Sequence, residues 1–225
     1  MERDEWSKLK EDETDEAATK HYKRKRCEDD SDEIDKWKVY KDDRGKLSYA
    51  FKLSGPRIKT RRMVAFDLDG TIIKTKSGKS FAVDENDWTF FAPDVPSKLK
   101  HLHESGSYLA IISNQKGVSA GHQNLEELQN KIDRIISAIG VPMDVFCSLQ
   151  SDAFRKPCTA SWKFLMERRG PLNRGGAQVS KTALSSEDIY VGDAAGRPKQ
   201  GHRKKDHSAS DLKFARNLGV QVNYV

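Results

Sequence analysis

Met63-Val64-Ala65-Phe66-Asp67-Leu68-Asp69-Gly70-Thr71 is the stretch whose reading decides the fold of this chain. A short apolar run of this kind reads as a buried strand of a parallel sheet. Two carboxylates two positions apart follow it, and Gly70 and Thr71 break the strand. In an open parallel sheet, ligands bind just outside the carboxyl ends of the strands. Asp67 and Asp69 therefore fall where chemistry is expected. Two acids there can hold a hard cation, or share between them nucleophilic attack and proton movement. The same residues also suit a plain strand-to-turn junction, where Asp and Gly are common.

Downstream, strands alternate with helices. Asp94–Glu104 reads as a helix ending before Gly106, and Tyr108–Ser113 as an apolar strand. Leu125, Leu128, Ile132, Ile135, Ile136 and Ile139 recur at helical spacing and stop at Gly140, predicting a helix over Leu125–Ile139. Asp144–Leu149 reads as a strand, Thr159–Arg169 as a helix, and Pro171–Ser186 as a loop. Ile189–Val191 and Val220–Val222 read as strands flanking a helix over Ser208–Leu218. Such alternation predicts an α/β fold with a parallel sheet covered on both faces. Upstream, Trp37, Val39, Tyr40, Leu47, Tyr49, Phe51 and Leu53 suggest short strands joined at Asp43-Arg44-Gly45, extending one edge of the sheet. Ile72–Val83 interrupts the alternation and reads as a hairpin lid over the strand ends. Within it, Gly78-Lys79-Ser80 copies the end of a nucleotide-binding P-loop, but position 73 is Ile where that loop needs Gly.

The 225 residues allow one α/β domain with a tail, or two small domains. The chain is 36% hydrophobic and 33% charged, with mean hydropathy −0.78, which is polar for a wholly folded protein. Residues 1–36 carry too few apolar side chains for a core and read as a disordered charged arm. In that arm Lys23-Arg24-Lys25-Arg26 suits a nuclear import signal, a phosphate-binding segment or a solubilising tail. The net charge of +6 and pI near 9.1 favour a polyanionic partner. Cys27, Cys147 and Cys158 are odd in number and lack metal-ligand spacing, as expected of reduced thiols inside a cell. The sequence shows neither a signal peptide nor a run of membrane-spanning length, so no membrane partner is expected.

Each later strand end carries a polar group. Ser113-Asn114-Gln115 supplies donors suited to phosphate oxygens. In Arg155-Lys156-Pro157, the lysine before proline is held extended at a helix start, where a point charge can face a phosphoryl group. Gly192-Asp193-Ala194-Ala195-Gly196-Arg197 brings a third acid close behind a strand, completing an oxygen-rich magnesium site.

In this order the motifs resemble the haloacid dehalogenase superfamily. Phe66–Phe81, Asp87-Trp88, Ser113–Gly117, Arg155–Pro157, Val191–Pro198 and Arg203-Lys204-Lys205-Asp206 with Ser208 are similar to the phosphatase domain of the polynucleotide kinase 3'-phosphatase family, over residues 60 to 225. The resemblance implies a haloacid-dehalogenase-like, Rossmann-like sheet flanked by helices over 37–225, following the arm of 1–36. It implies Mg²⁺ held by Asp67, the main-chain carbonyl of Asp69, and Asp193. Asp67 would be the nucleophile, forming an aspartyl-phosphate, and Asp69 the acid and base. Ser113, the Asn114 backbone and Lys156 would hold the phosphoryl group. Asp206 would stand behind the metal or Lys156, or else cap the last helix. Arg155, Arg197, Arg203, Lys204 and Lys205 would line a cleft for the DNA backbone. Phe81 and Trp88 would stack on a terminal base or sugar, or pack the lid.

The expected activity is removal of 3'-phosphate from DNA nicks, gaps and breaks during repair, in the nucleus, by a monomer. Animal members carry a forkhead-associated domain and a P-loop kinase domain; neither is expected here, so no 5'-kinase activity is carried over. Fungal relatives include phosphatase-only proteins, which this chain resembles in extent; a fragment of a longer protein is the alternative. Val118-Ser119-Ala120-Gly121 stands where relatives often have a basic residue, putting one substrate contact in doubt. Two rivals are a small-molecule phosphomonoesterase, whose histidinol-phosphate examples usually carry a Cys/His zinc loop absent here, and a non-catalytic nucleic-acid-binding module.

Overall fold

The computed structural model describes residues 34–55, 62–169, 173–174, 177–178, 184–201 and 204–225. The N-terminal arm, its Lys23–Arg26 run and Arg203 lie outside the described residues. Trp37–Lys41 (β1) and Leu47–Lys52 (β2) pair antiparallel. Asp42 shapes their turn, its carboxylate accepting from the Arg44 and Lys46 amides. Met63–Phe66 (β3) follows, every residue of it buried. Two short strands come next, Ile73–Lys74 (β4) and Thr89–Phe90 (β5), and then the helix Val95–Glu104 (α1). Tyr108–Asn114 (β6), Leu125–Ile139 (α2), Asp144–Ser148 (β7) and Ala160–Arg169 (α3) continue the alternation. Asn173–Arg174 (β8) and Ala177–Gln178 (β9) precede Ile189–Gly192 (β10), Ser210–Leu218 (α4) and Gln221–Tyr224 (β11).

The main sheet has the order β1-β2-β7-β6-β3-β10-β11. The pairs β7-β6, β6-β3, β3-β10 and β10-β11 are parallel. The β1-β2 hairpin adds to the free edge of β7 in antiparallel sense, the edge extension expected from the aromatic pattern. From β3 the chain steps outward through β6 and β7, then returns across β3 to β10 and β11. Strand order therefore reverses between β3 and β10, and a doubly wound sheet opens its ligand crevice at such a reversal. Asp67 and Asp193 follow these two strands, so the topology alone brings them together.

Period-2 alternation splits the core between the two faces of the sheet. Val64 and Phe66 point to one face, with Leu109, Ile111 and Val145, against Leu99 of α1 and Leu128, Ile132 and Ile135 of α2. Met63 and Ala65 point to the other, with Ala110, Ile112 and Phe146, against Trp162 and Leu165 of α3 and Phe214 of α4. Helix α2 begins where the Asn124 side chain accepts from the Glu126 and Glu127 amides, and ends at Gly140 with φ 78°. Its buried isoleucines each contribute about 1.5–3 kcal/mol by leaving water, so packing rather than propensity holds it.

Two expected elements differ. The hairpin anticipated within Ile72–Val83 has its second arm further on, since β4 pairs with β5 at Thr89–Phe90. The loop anticipated over Pro171–Ser186 contains the short antiparallel pair β8-β9. In both, the strands are two residues long, too short to show a period in the sequence. No helix among the described residues is long and apolar enough to cross a membrane.

Candidate active site

Asp67 is the first residue past β3, tied there by its amide to the Val191 carbonyl, 2.8 Å away. Lys156 reaches it from the loop after β7. The Asn114 side chain fixes that loop, accepting from the Lys156 amide at 3.0 Å and donating to its carbonyl at 3.1 Å. The Lys156 ammonium then meets three oxygens: Asp67 Oδ1 at 2.7 Å, Tyr190 Oη at 2.6 Å and Asp211 Oδ1 at 2.8 Å. An ammonium has three donors and no acceptor, so this set saturates it. The Tyr190 hydroxyl donates its own hydrogen bond to Asp211 Oδ1, 3.1 Å away. Burying a cation is costly, and a full set of partners offsets that cost.

Asp211 lies in the first turn of α4 and is fully buried; its second oxygen accepts from the Ala194 amide at 3.0 Å. Sequence reasoning missed it and chose Asp206. The signal was present: Asp211 shares the apolar helix face of Phe214, Ala215 and Leu218, where a carboxylate needs a reason. Tyr190 was missed as well, because the strand pattern explains it as core. Asp206 is at neither the metal cluster nor Lys156: it accepts from the amides of Ala195 and Arg197 and from Arg197 Nε at 2.8 Å. Burial opposes its charge, but these bonds outweigh it and hold the carboxyl below the usual range.

Oxygens of Asp67, Asp193 and Asp211 lie within 4.8 Å of one another. Burial pushes the Asp67 carboxyl up to about 7, Lys156 opposing and Asp211 and Asp69 adding to the rise. Burial, then Asp211, also raises Asp193. The Lys156 ammonium, penalised by burial, is nevertheless held above its ordinary value by Asp67 and Asp211. Asp193 Oδ1 is buried without a hydrogen-bond partner among the described residues. Gly70, at φ 81°, lets the chain pass close to Asp193; a Cβ there would stand 2.6 Å from its Oδ2. Crowded carboxylates with an orphaned oxygen fit a hard divalent cation, which takes oxygen ligands. The Asp69 carboxylate is not among these side chains; the ligand expected at that position is its main-chain carbonyl.

Asp69 is exposed, yet both its oxygens are engaged: Oδ2 accepts from Gln115 Nε2 at 2.7 Å, and Oδ1 faces Lys131 Nζ at 3.5 Å. Gln115 also donates to Ser113 Oγ at 2.9 Å, linking the strand-end serine to the second acid. Ser113 is buried at the end of β6, beside the site.

The expected substrate-facing residues divide. Phe81 is 86% exposed in the loop between β4 and β5. Trp88 instead packs edge-on against Phe90, centroids 5.6 Å apart, and against the core, so it supports the loop. Asp87 closes that loop, accepting from Ser77 N, Ser77 Oγ and Val83 N. Arg197 spends three N–H groups on Asp206, the Asp193 carbonyl and the Val225 carbonyl. It thus anchors the Asp193 loop. Arg155 is half-buried, its Nη1 lacking a hydrogen-bond partner among the described residues, and burial lowers its guanidinium despite Asp152 and Asp67. Lys204 and Lys205 are exposed. Cys147 is a fully buried strand residue whose thiol burial pushes up strongly, in keeping with packing.

Comparison with known proteins adds a family and a fold. The family model described as polynucleotide kinase 3 phosphatase matches residues 62–224. The bifunctional polynucleotide phosphatase/kinase of Schizosaccharomyces pombe is 41% identical over 167 residues, covering 72% of this chain but 36% of the relative's own length. The polynucleotide 3'-phosphatase of Saccharomyces cerevisiae is 31% identical over 206 residues, covering 71% of this chain and 84% of the relative. The D,D-heptose 1,7-bisphosphate phosphatase of B. bronchiseptica, solved with magnesium and phosphate, superposes with a TM-score of 0.52 at 17% identity, covering 72% of this chain and 78% of that one. The fold is the haloacid-dehalogenase-like one that the motif order implied.

Proposed function

Since the chain belongs to the polynucleotide kinase 3 phosphatase family, we propose that it removes phosphate from the 3' ends of DNA strand breaks. The observation carrying this reading is the saturated Lys156 ammonium, which holds Asp67 at the mouth of a three-carboxylate cluster. In the first step an Asp67 carboxylate oxygen attacks phosphorus and the P–O3' bond breaks. Asp69 gives its proton to the departing O3'. In the second step water attacks the aspartyl-phosphate, its proton passes to Asp69, and the bond from phosphorus to Asp67 breaks, releasing phosphate. Lys156 offsets charge on the phosphoryl oxygens beside the nucleophile, and Ser113 with the Asn114 amide holds the rest. Asp67, Asp193 and Asp211, with the Asp69 carbonyl, would hold Mg²⁺, which when bound supplies Lewis-acid neutralisation of the phosphoryl oxygens.

A polynucleotide substrate is supported by what the yeast relatives' names say of them, by the net charge of +6, and by exposed Lys204 and Lys205; DNA follows from the family resemblance of the motifs. The exposed Phe81 is suited to stack on the terminal nucleotide. Such a role belongs to DNA repair in the nucleus. The deciding experiment measures phosphate release from a nicked duplex bearing a 3'-phosphate, with and without Mg²⁺. Release that depends on Mg²⁺ and disappears in Asp67→Asn is expected; turnover surviving in Asp67→Asn removes the nucleophile assignment. Faster turnover of small phosphomonoesters than of DNA ends would transfer the protein to metabolite chemistry.

A further inference from the structure

The geometry points to Lys131 and Gln115 as a clamp that positions Asp69 for proton transfer, an inference that rests on the phosphatase reading above. Asp69 is an exposed carboxylate on a strand-end turn, with 55% of its side chain in solvent. An unrestrained carboxylate there would sample several rotamers, and proton transfer needs one. Two buried side chains from two different elements converge on it. Gln115, 7% exposed and just past β6, donates to Oδ2 at 2.7 Å. Lys131, 4% exposed and in the middle of α2, brings its ammonium to within 3.5 Å of Oδ1.

Lys131 is the unexpected member. It stands on the buried face of α2 among Leu128, Ile132 and Ile135, where an apolar side chain would pack without loss. A buried cation is costly to keep, and replacement by an apolar residue of like volume is often neutral or stabilising. Among the described residues the ion pair drawn for Lys131 is with Asp69. Helix α2 is itself tied to the β1-β2 hairpin and to the loop before β5. Asp133 accepts from Trp37 Nε1 and Lys52 Nζ, and Arg134 binds Glu85 and Asn86. The ammonium is therefore presented from this helix to Oδ1, while the Gln115 amide holds Oδ2. Lys131 acts through Asp69 and is a positioning residue, as Gln115 is.

The test uses Lys131→Met, which keeps an unbranched stem of similar length, with Gln115→Met as a second variant freeing the other oxygen. The substrates are p-nitrophenyl phosphate and a 3'-phosphorylated nick. Nitrophenolate leaves without a proton, so with the aryl ester only the hydrolysis of the aspartyl-phosphate needs Asp69. The clamp predicts a retained burst of nitrophenol, steady-state turnover lowered about 10- to 100-fold, and accumulated phosphoenzyme. On the DNA end, where the leaving alkoxide needs the acid, the burst itself slows by a similar factor. The melting temperature of Lys131→Met stays level or rises. Unchanged turnover, or burst and turnover falling in parallel with a lowered melting temperature, overturns the clamp and makes Lys131 a packing residue. If wild type turns over the aryl ester but not DNA, the DNA reading fails while the burst still decides the clamp. If it turns over neither, both fail.

Discussion

Asp67 sits where its charge is unwelcome until a cation arrives. With burial lifting its carboxyl to about 7, against about 3.9 for an exposed aspartate, the folded state keeps this proton longer than the unfolded chain does. The contribution to stability is therefore full below pH ~4 and is lost as pH rises through about 7. Asp193 is shifted the same way. Thermal melts of metal-free protein should accordingly show stability falling from pH 5 to pH 8. Asp67→Asn should flatten that fall, and added Mg²⁺ should restore stability at the upper end; a flat wild-type profile would discount the buried charge. Gly192 makes a second residue-scale case. A Cβ there would run into Asp211 Oδ2, and the fully buried Asp211 can make room only by shifting off its partners. Gly192→Ala should cost about 1–3 kcal/mol by overpacking and should weaken Mg²⁺ binding, read by calorimetry, because Asp211 must leave Lys156. Asp67, Lys156 and Asp193 were legible as single residues because each ends or follows a strand. Asp211 was not, because an acid in a helix's first turn already has a local explanation.

At the scale of elements, the loop from Thr75 to Trp88 owes its shape to one side chain. Asp87 accepts from two loop amides and a hydroxyl, and Ser77 leads the causes that hold its carboxyl below the usual range. Asp87→Ala should speed amide exchange at Ser77 and Val83 while leaving β3 and β6 protected; unchanged exchange in the loop would show that Trp88 and Arg134 suffice to order it. The long helices and inner strands were readable because their apolar periods run for several residues. β4, β5, β8 and β9 were not, since two residues carry no period and their pairing is decided by where the flanking chain is anchored. Trp88 illustrates the same limit: the resemblance left it either stacking on a terminal base or packing the lid, and the pairing of β4 with β5 sets it against Phe90.

For the whole molecule, the net charge of +6 bears on which phosphomonoester is met first. A DNA end brings a backbone of phosphates, so its KM should rise several-fold between about 50 and 200 mM salt, while KM for p-nitrophenyl phosphate stays nearly level. Equal salt dependence for both would place recognition in the phosphoryl pocket alone. The doubly wound sheet serves this chemistry by setting Asp67 and Asp193 just past the two strands that flank the reversal of strand order.

Local patterns in the sequence determined the alternation of strands and helices, the acidic pair after β3, and the ordered polar strand ends that resemble the family. Those features depend on neighbours a few residues apart, and spacing records them. Tertiary structure alone decided that Asp211 rather than Asp206 meets Lys156, that Arg197 anchors a loop, and that buried Lys131 faces Asp69. Each of these contacts joins groups whose meeting depends on how helices dock on the sheet, and no local spacing encodes a docking angle.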